Sequence, residues 1–235
     1  MMWAELDEFP GLFGDEEAYR SSIRQSDEDD ISASPDEKKL KVEKKASQGL
    51  SGEKESDRQK LFGFAIARMK EITPFLLNGM INGWTFDYTP LDRARHVEEF
   101  YEFGEVRPFD GGLNPIEYKN PEVINGRLVA WAYCDRTENQ QIEYSSWESI
   151  NHPKVRGRGK ASLSLGFEGI KEACAQAAKN AVREYWRGLL KNKPKELSGE
   201  LLLIKEPRIF IKDGNYVVDL DFFIETAKIK EYSVY

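Results

Sequence analysis

The residues best suited to binding chemistry form a basic run interrupted by glycines, RGRGK at residues 156–160. Glycine-rich segments that end in Gly-Lys can bind phosphate through backbone N–H groups and the lysine ammonium. A nucleotide-binding P-loop has four residues between its two glycines and a Ser or Thr after the lysine. Here one residue separates the glycines and Ala161 follows the lysine, so the spacing excludes a P-loop. What remains is a nonspecific anion site formed by Arg156, Arg158 and Lys160.

A second candidate is a pair of carboxylates near the C-terminus. Asp219 and Asp221 alternate with Val218, Leu220 and Phe222, a pattern typical of a strand with one wet face. Two interpretations stay open. The alternation favours solvent-facing acids on a half-buried strand, while paired carboxylates could also hold Mg²⁺ in a hydrolase or nuclease.

Other catalytic or metal-binding patterns are weak. The two histidines, His96 and His152, have no neighbours at metal or triad spacing, and the two cysteines, Cys134 and Cys174, form no CxxC motif. We therefore predict no catalytic residue, no metal and no cofactor, and interpret the cysteines as free thiols of a reducing compartment.

Charge is distributed unevenly along the chain, whose net charge is −7 over 235 residues. Residues 1–37 contain twelve acids and two bases, a net −10, whereas residues 153–195 contain eleven bases and three acids, a net +8. Single-sign surfaces attract complementary partners over about 8–10 Å at physiological salt. The candidate anion-binding residues in the basic block are Lys154, Arg156, Arg158, Lys160, Arg183 and Arg187.

Three targets of the basic block stay open. It could pair with acids of the chain itself, including the N-terminal arm, as part of a solvated face. It could bind an acidic protein partner. It could bind nucleic acid, with Tyr185 and Trp186 offering stacking surfaces, although a pI near 5.2 is unusual for a dedicated nucleic-acid binder.

Residues 1–55 are predicted to form a disordered, charged arm because they contain too few apolar residues to offset chain entropy. The arm contains an aromatic island among acids. This island is either part of a solvated tail or a short motif that folds on a partner. The candidate motif residues are Trp3, Leu6, Phe9, Leu12 and Phe13.

Residues 56–235 are predicted to form one globular domain. A capping box at Ser56 and Gln59 begins a helix that Pro74 should end, and PFLLNGMINGWTFDYTP after it reads as strand. Residues 91–103 fit a short helix or a strand equally well. Residues 108–122 read as a loop.

The second half of the domain is predicted to alternate strands with one long helix. RLVAWAYCD and QIEYSSWESI read as strands joined by RTENQ, and residues 152–160 as a loop that leads into a strand at KASLSL. Phe167 to Leu190 has small and apolar residues at helical spacing and should pack across the sheet. Asp213-Gly214 predicts a hairpin between the last two strands.

These elements define an α+β fold, with an antiparallel sheet of about five to six strands and two or three helices packed on one face. The absence of a signal peptide and of any long apolar run predicts a cytoplasmic protein without a membrane span. The expected function is a non-enzymatic protein-interaction or assembly module. The alternatives are a nucleic-acid-binding accessory protein and an Mg-dependent hydrolase or nuclease.

Overall fold

The structure, a computed structural model, describes residues 2–5, 52–124, 127–149 and 151–232. The α-helices of this part are α1 (Gly52–Ile81), α2 (Glu138–Trp147) and α3 (Phe167–Leu189). The strands are β1 (Met2–Glu5), β2 (Trp84–Thr89), β3 (Phe100–Glu105), β4 (Glu117–Ile124), β5 (Arg127–Tyr133), β6 (Lys154–Ser162), β7 (Glu196–Leu203), β8 (Arg208–Lys212) and β9 (Asn215–Lys230).

Two antiparallel sheets organise these strands. The larger has six strands in the order β3-β2-β7-β9-β6, and β8 also pairs with β9. The smaller has three, in the order β1-β5-β4. The predicted α+β class and the antiparallel six-stranded sheet are confirmed. The long β9 joins the two halves of the larger sheet, because its first half pairs with β6 and β8 and its second half with β7.

Helix α3 packs against β6 unusually closely, and two glycines make this contact geometrically feasible. A Cβ atom on Gly157 would lie 1.9 Å from the carbonyl oxygen of Ala177, and one on Gly159 would lie 2.0 Å from that of Ala173. The facing helix residues are alanines with no exposed surface. The helix backbone therefore rests on the strand backbone, and the predicted helix with a small-residue stripe is confirmed.

Helix α1 corrects one prediction, because it does not end before Pro74 but continues to Ile81. An internal proline costs about 3 kcal/mol. Ile72 and Leu76 bury their side chains on either side of it, and each fully buried aliphatic side chain contributes about 1.5–3 kcal/mol. Phe75 also stacks on Trp84, with ring centroids 5.0 Å apart. This burial outweighs the lost hydrogen bond, so the segment predicted as strand is helix up to residue 81.

Helix α2 corrects a second prediction, since QIEYSSWESI was expected to be a strand. Thr137 caps this helix: its side chain accepts from the backbone N–H of Gln140, and the Gln140 side chain accepts from the backbone N–H of Thr137 at 2.9 Å. This capping box lies in the segment predicted to be a hairpin connection.

Three smaller differences concern loops. Residues 91–103, left open between helix and strand, contain a 3₁₀ turn at Arg93–Arg95 followed by β3. The predicted loop 108–122 contains the first residues of β4, with a register shift between Lys119 and Glu122. The basic run predicted as a loop is strand from Lys154 onward.

The predicted arm falls mostly outside the described residues. Met2–Glu5 form β1, which pairs with β5 so that Trp3 lies opposite Val129. Residues 52–55 belong to α1. Leu6, Phe9, Leu12 and Phe13 lie outside the described part of the chain.

Candidate binding surfaces

The alternation of Gly with Arg and Lys in β6 has a simple structural reason. Successive residues of a strand point to opposite faces of the sheet. Gly157, Gly159 and Ala161 are buried toward α3, whereas the basic residues between them are exposed on the other face. The run RGRGK is therefore neither a phosphate loop nor a plain surface loop. Close packing against α3 requires glycine on the inner face of β6, so the charged side chains lie on its outer face.

The charged residues of three neighbouring strands meet on this outer face. In register, Arg158 and Arg208 both lie opposite Asp219, Arg156 lies opposite Asp221, and Lys212 lies opposite Asn215. We call this surface the basic sheet face, and it comprises Lys154, Arg156, Arg158, Lys160, Lys205, Arg208, Lys212, Asp219 and Asp221. It thus carries seven bases and two acids. Glu206 adjoins it in the loop between β7 and β8.

Asp219 lies at the centre of the basic sheet face and is only 6% exposed. The Arg158 guanidinium donates to both of its carboxylate oxygens, from Nε to Oδ1 at 2.5 Å and from Nη2 to Oδ2 at 2.8 Å. Arg156 Nη2 adds a longer contact to Oδ2 at 3.4 Å. This bidentate pair is the strong form of a charge-assisted hydrogen bond.

Asp221 contacts Lys205, Arg208 and Arg156. Lys205 Nζ lies 2.8 Å from its Oδ2, Arg208 Nη2 lies 3.8 Å from the same atom, and Arg156 Nε lies 3.9 Å from Oδ1. The carboxylates therefore space the bases apart and orient them. Because several cations share each carboxylate, each cation keeps N–H donors that the carboxylate does not occupy.

The electrostatics of Asp219 follow from these contacts. The hydrogen bonds from Arg158 lower the pKa of the Asp219 carboxyl below its ordinary value, and the charges of Arg158, Arg156 and Arg208 add to this effect although burial opposes it. The same ion pair raises the pKa of Arg158. Both partners therefore remain charged at neutral pH.

The structure separates the six predicted anion-binding residues into two groups. Lys154, Arg156, Arg158 and Lys160 lie on the basic sheet face. Arg183 and Arg187 lie near the C-terminal end of α3, on the helix side of the sheet. One contiguous basic block in the sequence therefore supplies two separate surfaces.

The pair Asp219 and Asp221 lies among bases. Asp219 is buried under arginine, whereas the alternating pattern favoured a solvent-facing acid. Bases lie within 4 Å of both carboxylates. Among the residues that the structure describes, no group of three or more His, Cys, Asp or Glu side chains is placed to hold a metal ion.

Sequence reasoning missed three members of the basic sheet face: Lys205, Arg208 and Lys212. All three lie outside the block of highest charge. Arg208 and Lys212 join the face through the pairing of β8 with β9, whereas Lys205 joins it from the loop before β8 through its ion pair with Asp221. The signal that could have found Arg208 and Lys212 was the hairpin at Asp213-Gly214, because its register places Lys212 opposite Asn215 and Arg208 opposite Asp219. Alternate residues of a strand lie on the same face, so counting in steps of two from this turn predicts that Arg208, Lys212 and Asp219 share a face.

Comparison with known proteins places this α+β domain in a family. A family model matches residues 2–232, and the chain belongs to that family. The chain is similar to an uncharacterised protein of Treponema pallidum (strain Nichols), with 27% identity over 167 residues, which cover 71% of this chain and 70% of that protein. No solved structure matches. Neither match states an activity, so function is argued from the surfaces themselves.

One further observation concerns membranes. Within the part of the chain that the structure describes, every helix is too short or too polar to cross a lipid bilayer.

Proposed function

We propose that this protein is a non-enzymatic interaction module whose basic sheet face binds an acidic segment of a partner protein. One observation carries the proposal: Arg156 and Arg158 remain 55% and 64% exposed although both are ion-paired. An arginine has five N–H donors, and Asp219 occupies only one edge of the Arg158 guanidinium. The outer edge is oriented and free to bind a second carboxylate.

The rigidity of the face supports the same function. All of its bases but Lys205 stand on paired strands. The two carboxylates hold Arg156, Arg158, Lys205 and Arg208 in place, so binding an acidic chain orders few additional side chains. The face also contains apolar surface, since Arg158 lies over the ring of the half-buried Phe210 at 5.9 Å. A partner segment that combines acidic and apolar residues matches this composition.

The charges within the basic sheet face suit a protein partner better than nucleic acid. The fixed carboxylates of Asp219 and Asp221 lie among its bases and would repel the regularly spaced phosphates of a nucleic acid backbone. Nucleic acid remains the alternative function, and salt dependence separates the two. Neutralising several phosphates makes affinity fall steeply with salt, with a slope near −0.9 per phosphate on duplex DNA.

We expect the variant Arg156→Gln/Lys160→Gln/Lys212→Gln to bind a fluorescein-labelled oligoglutamate peptide about tenfold more weakly than the full-length wild type. Three exposed charge pairs at about 0.2–1 kcal/mol each account for this loss. The variant keeps the pair of Arg158 and Asp219. Fluorescence anisotropy titration at low ionic strength measures the affinity.

The matched control is Lys70→Gln/Arg93→Gln/Lys228→Gln, which removes the same charge from exposed positions away from the face. Equal weakening by both variants would reject the proposed site. Tighter, more salt-dependent binding of a DNA duplex than of oligoglutamate would favour the alternative function.

A full-length variant in which the four acids at residues 27–30 are changed to amides tests whether the N-terminal arm itself occupies the basic sheet face. If the arm competes with the peptide for this face, removing these charges should make peptide binding tighter.

A further inference from the structure

A second site lies away from the basic sheet face, where the C-terminal end of α3 meets the chain that follows β2. A cleft of ≈ 530 Å³ opens there, within the range of about 300–1,000 Å³ that small-molecule sites occupy. We call it the helix-end cleft. The side chains of Leu91, Trp186, Leu190 and Leu197 give it apolar walls, and Leu197 is completely buried at its base.

Four cations line the helix-end cleft: Arg183, Arg187, Lys191 and Lys193. Arg187 is 77% exposed, and the Glu184 carboxylate lies 3.6 Å from both Arg183 Nε and Arg187 Nη1. Lys193 Nζ donates to the backbone oxygen of Leu91 at 2.7 Å and so links the two walls.

The acid that lines the cleft is already neutralised. Glu99 accepts hydrogen bonds from Lys179 Nζ and from the Tyr88 hydroxyl, each at 3.0 Å. Burial opposes ionisation of this carboxyl, but these hydrogen bonds outweigh it and lower the pKa of Glu99 below its ordinary value. One carboxylate therefore faces four cations, and the residues that line the cleft keep a net positive charge.

The charge at the end of α3 does not by itself explain this cleft. Cations at the end of a helix do complement its dipole, but that effect is confined to the last turn. It does not explain the apolar cavity beside these cations, whereas a ligand with an apolar body and an oxyanion matches both features.

We propose that the helix-end cleft binds a small anionic amphiphile, with its apolar body against the leucine and tryptophan walls and its oxyanion at Arg183 and Arg187. The oxyanion group is a carboxylate or a phosphate. This site is independent of the basic sheet face, because the two surfaces lie on opposite sides of the sheet.

Isothermal titration calorimetry of the full-length protein with dodecanoate, dodecyl phosphate and the neutral dodecanol tests this site. We expect saturable binding of at least one anion and at least tenfold weaker binding of the alcohol. Arg183→Gln/Arg187→Gln should weaken anion binding about tenfold, as the loss of two exposed ion pairs allows.

The matched control is Arg156→Gln/Lys160→Gln on the basic sheet face, which removes the same charge and should leave amphiphile binding unchanged. The tighter of the two anions identifies the oxyanion group. Three results would overturn the site: no saturable binding of either anion, equal binding of dodecanol, or equal weakening by the control. Each can occur while the sheet face still binds oligoglutamate, so the two proposals fail separately.

Discussion

Gly157→Ala is expected to destabilise the protein by about 3 kcal/mol or more, a large part of the 5–15 kcal/mol that holds a typical domain folded. The added methyl group would lie 1.9 Å from the carbonyl oxygen of Ala177. Backbone atoms of a long helix cannot rotate away as a side chain can. The helix must therefore move off the sheet, and the packing around it is lost. Urea denaturation followed by circular dichroism measures the change.

Gly188→Ala is the matched control for this substitution. Gly188 lies in α3, and a Cβ atom there would have no neighbour within 4 Å, so alanine should be neutral or stabilise the helix by up to about 1 kcal/mol. Gly159→Ala should behave like Gly157→Ala, because its methyl group would lie 2.0 Å from the Ala173 oxygen. If Gly157→Ala and Gly188→Ala were equally stable, the close helix–strand contact would be wrong.

The second large effect is expected from Asp219→Asn, which should lower the free energy of unfolding at pH 7 by about 1–2 kcal/mol. The carboxylate at this position is buried and bidentately paired with Arg158, and the neutral amide leaves the arginines without their counter-charge. Because the folded-state pKa of Asp219 is lowered, its contribution is fully present above the unfolded value of about 3.9. It is lost as the pH falls through the lower folded-state pKa.

Asp221→Asn provides the comparison, since its short contact is with the 60% exposed Lys205 and its contacts with Arg156 and Arg208 are long. We expect it to change stability by less than about 1 kcal/mol. Chemical denaturation of both variants and the wild type should be compared at pH 7 and at several values below pH 4. A loss in Asp219→Asn that stayed constant as the pH fell would contradict an ionised, arginine-paired carboxylate.

The sequence predicted the elements whose signals are local and consistent. Helical spacing of small residues alone predicts α3, and the turn preference of Asp213-Gly214 alone predicts the last hairpin. Pro74 shows where such a rule fails, because the burial of Ile72, Phe75 and Leu76 is a tertiary effect that outweighs the proline. The capping box at Thr137 is also a local signal, and it predicts the helix that the structure shows. The β-favouring residues that follow it predict a strand instead, so the two local signals conflict.

The candidate sites were harder to predict because they depend on which face each residue occupies. The basic block is contiguous in sequence, yet a strand and a helix within it send their charges to opposite sides of the sheet. Arg158 and Asp219 are sixty-one residues apart, and only the register of β6 with β9 brings them together. The helix-end cleft arises from packing between the end of α3 and the chain that follows β2, which residue types alone do not encode.

Backbone amide chemical-shift mapping of the ¹⁵N-labelled full-length protein, titrated with oligoglutamate, tests the central claim that the basic sheet face is a docking surface. The account predicts that the largest shifts fall on β6 and β8, around Arg156, Arg158 and Arg208. It predicts that the C-terminal end of α3 around Arg187 stays unchanged. Shifts confined to that helix end, or no saturable shifts on β6 and β8, would contradict it.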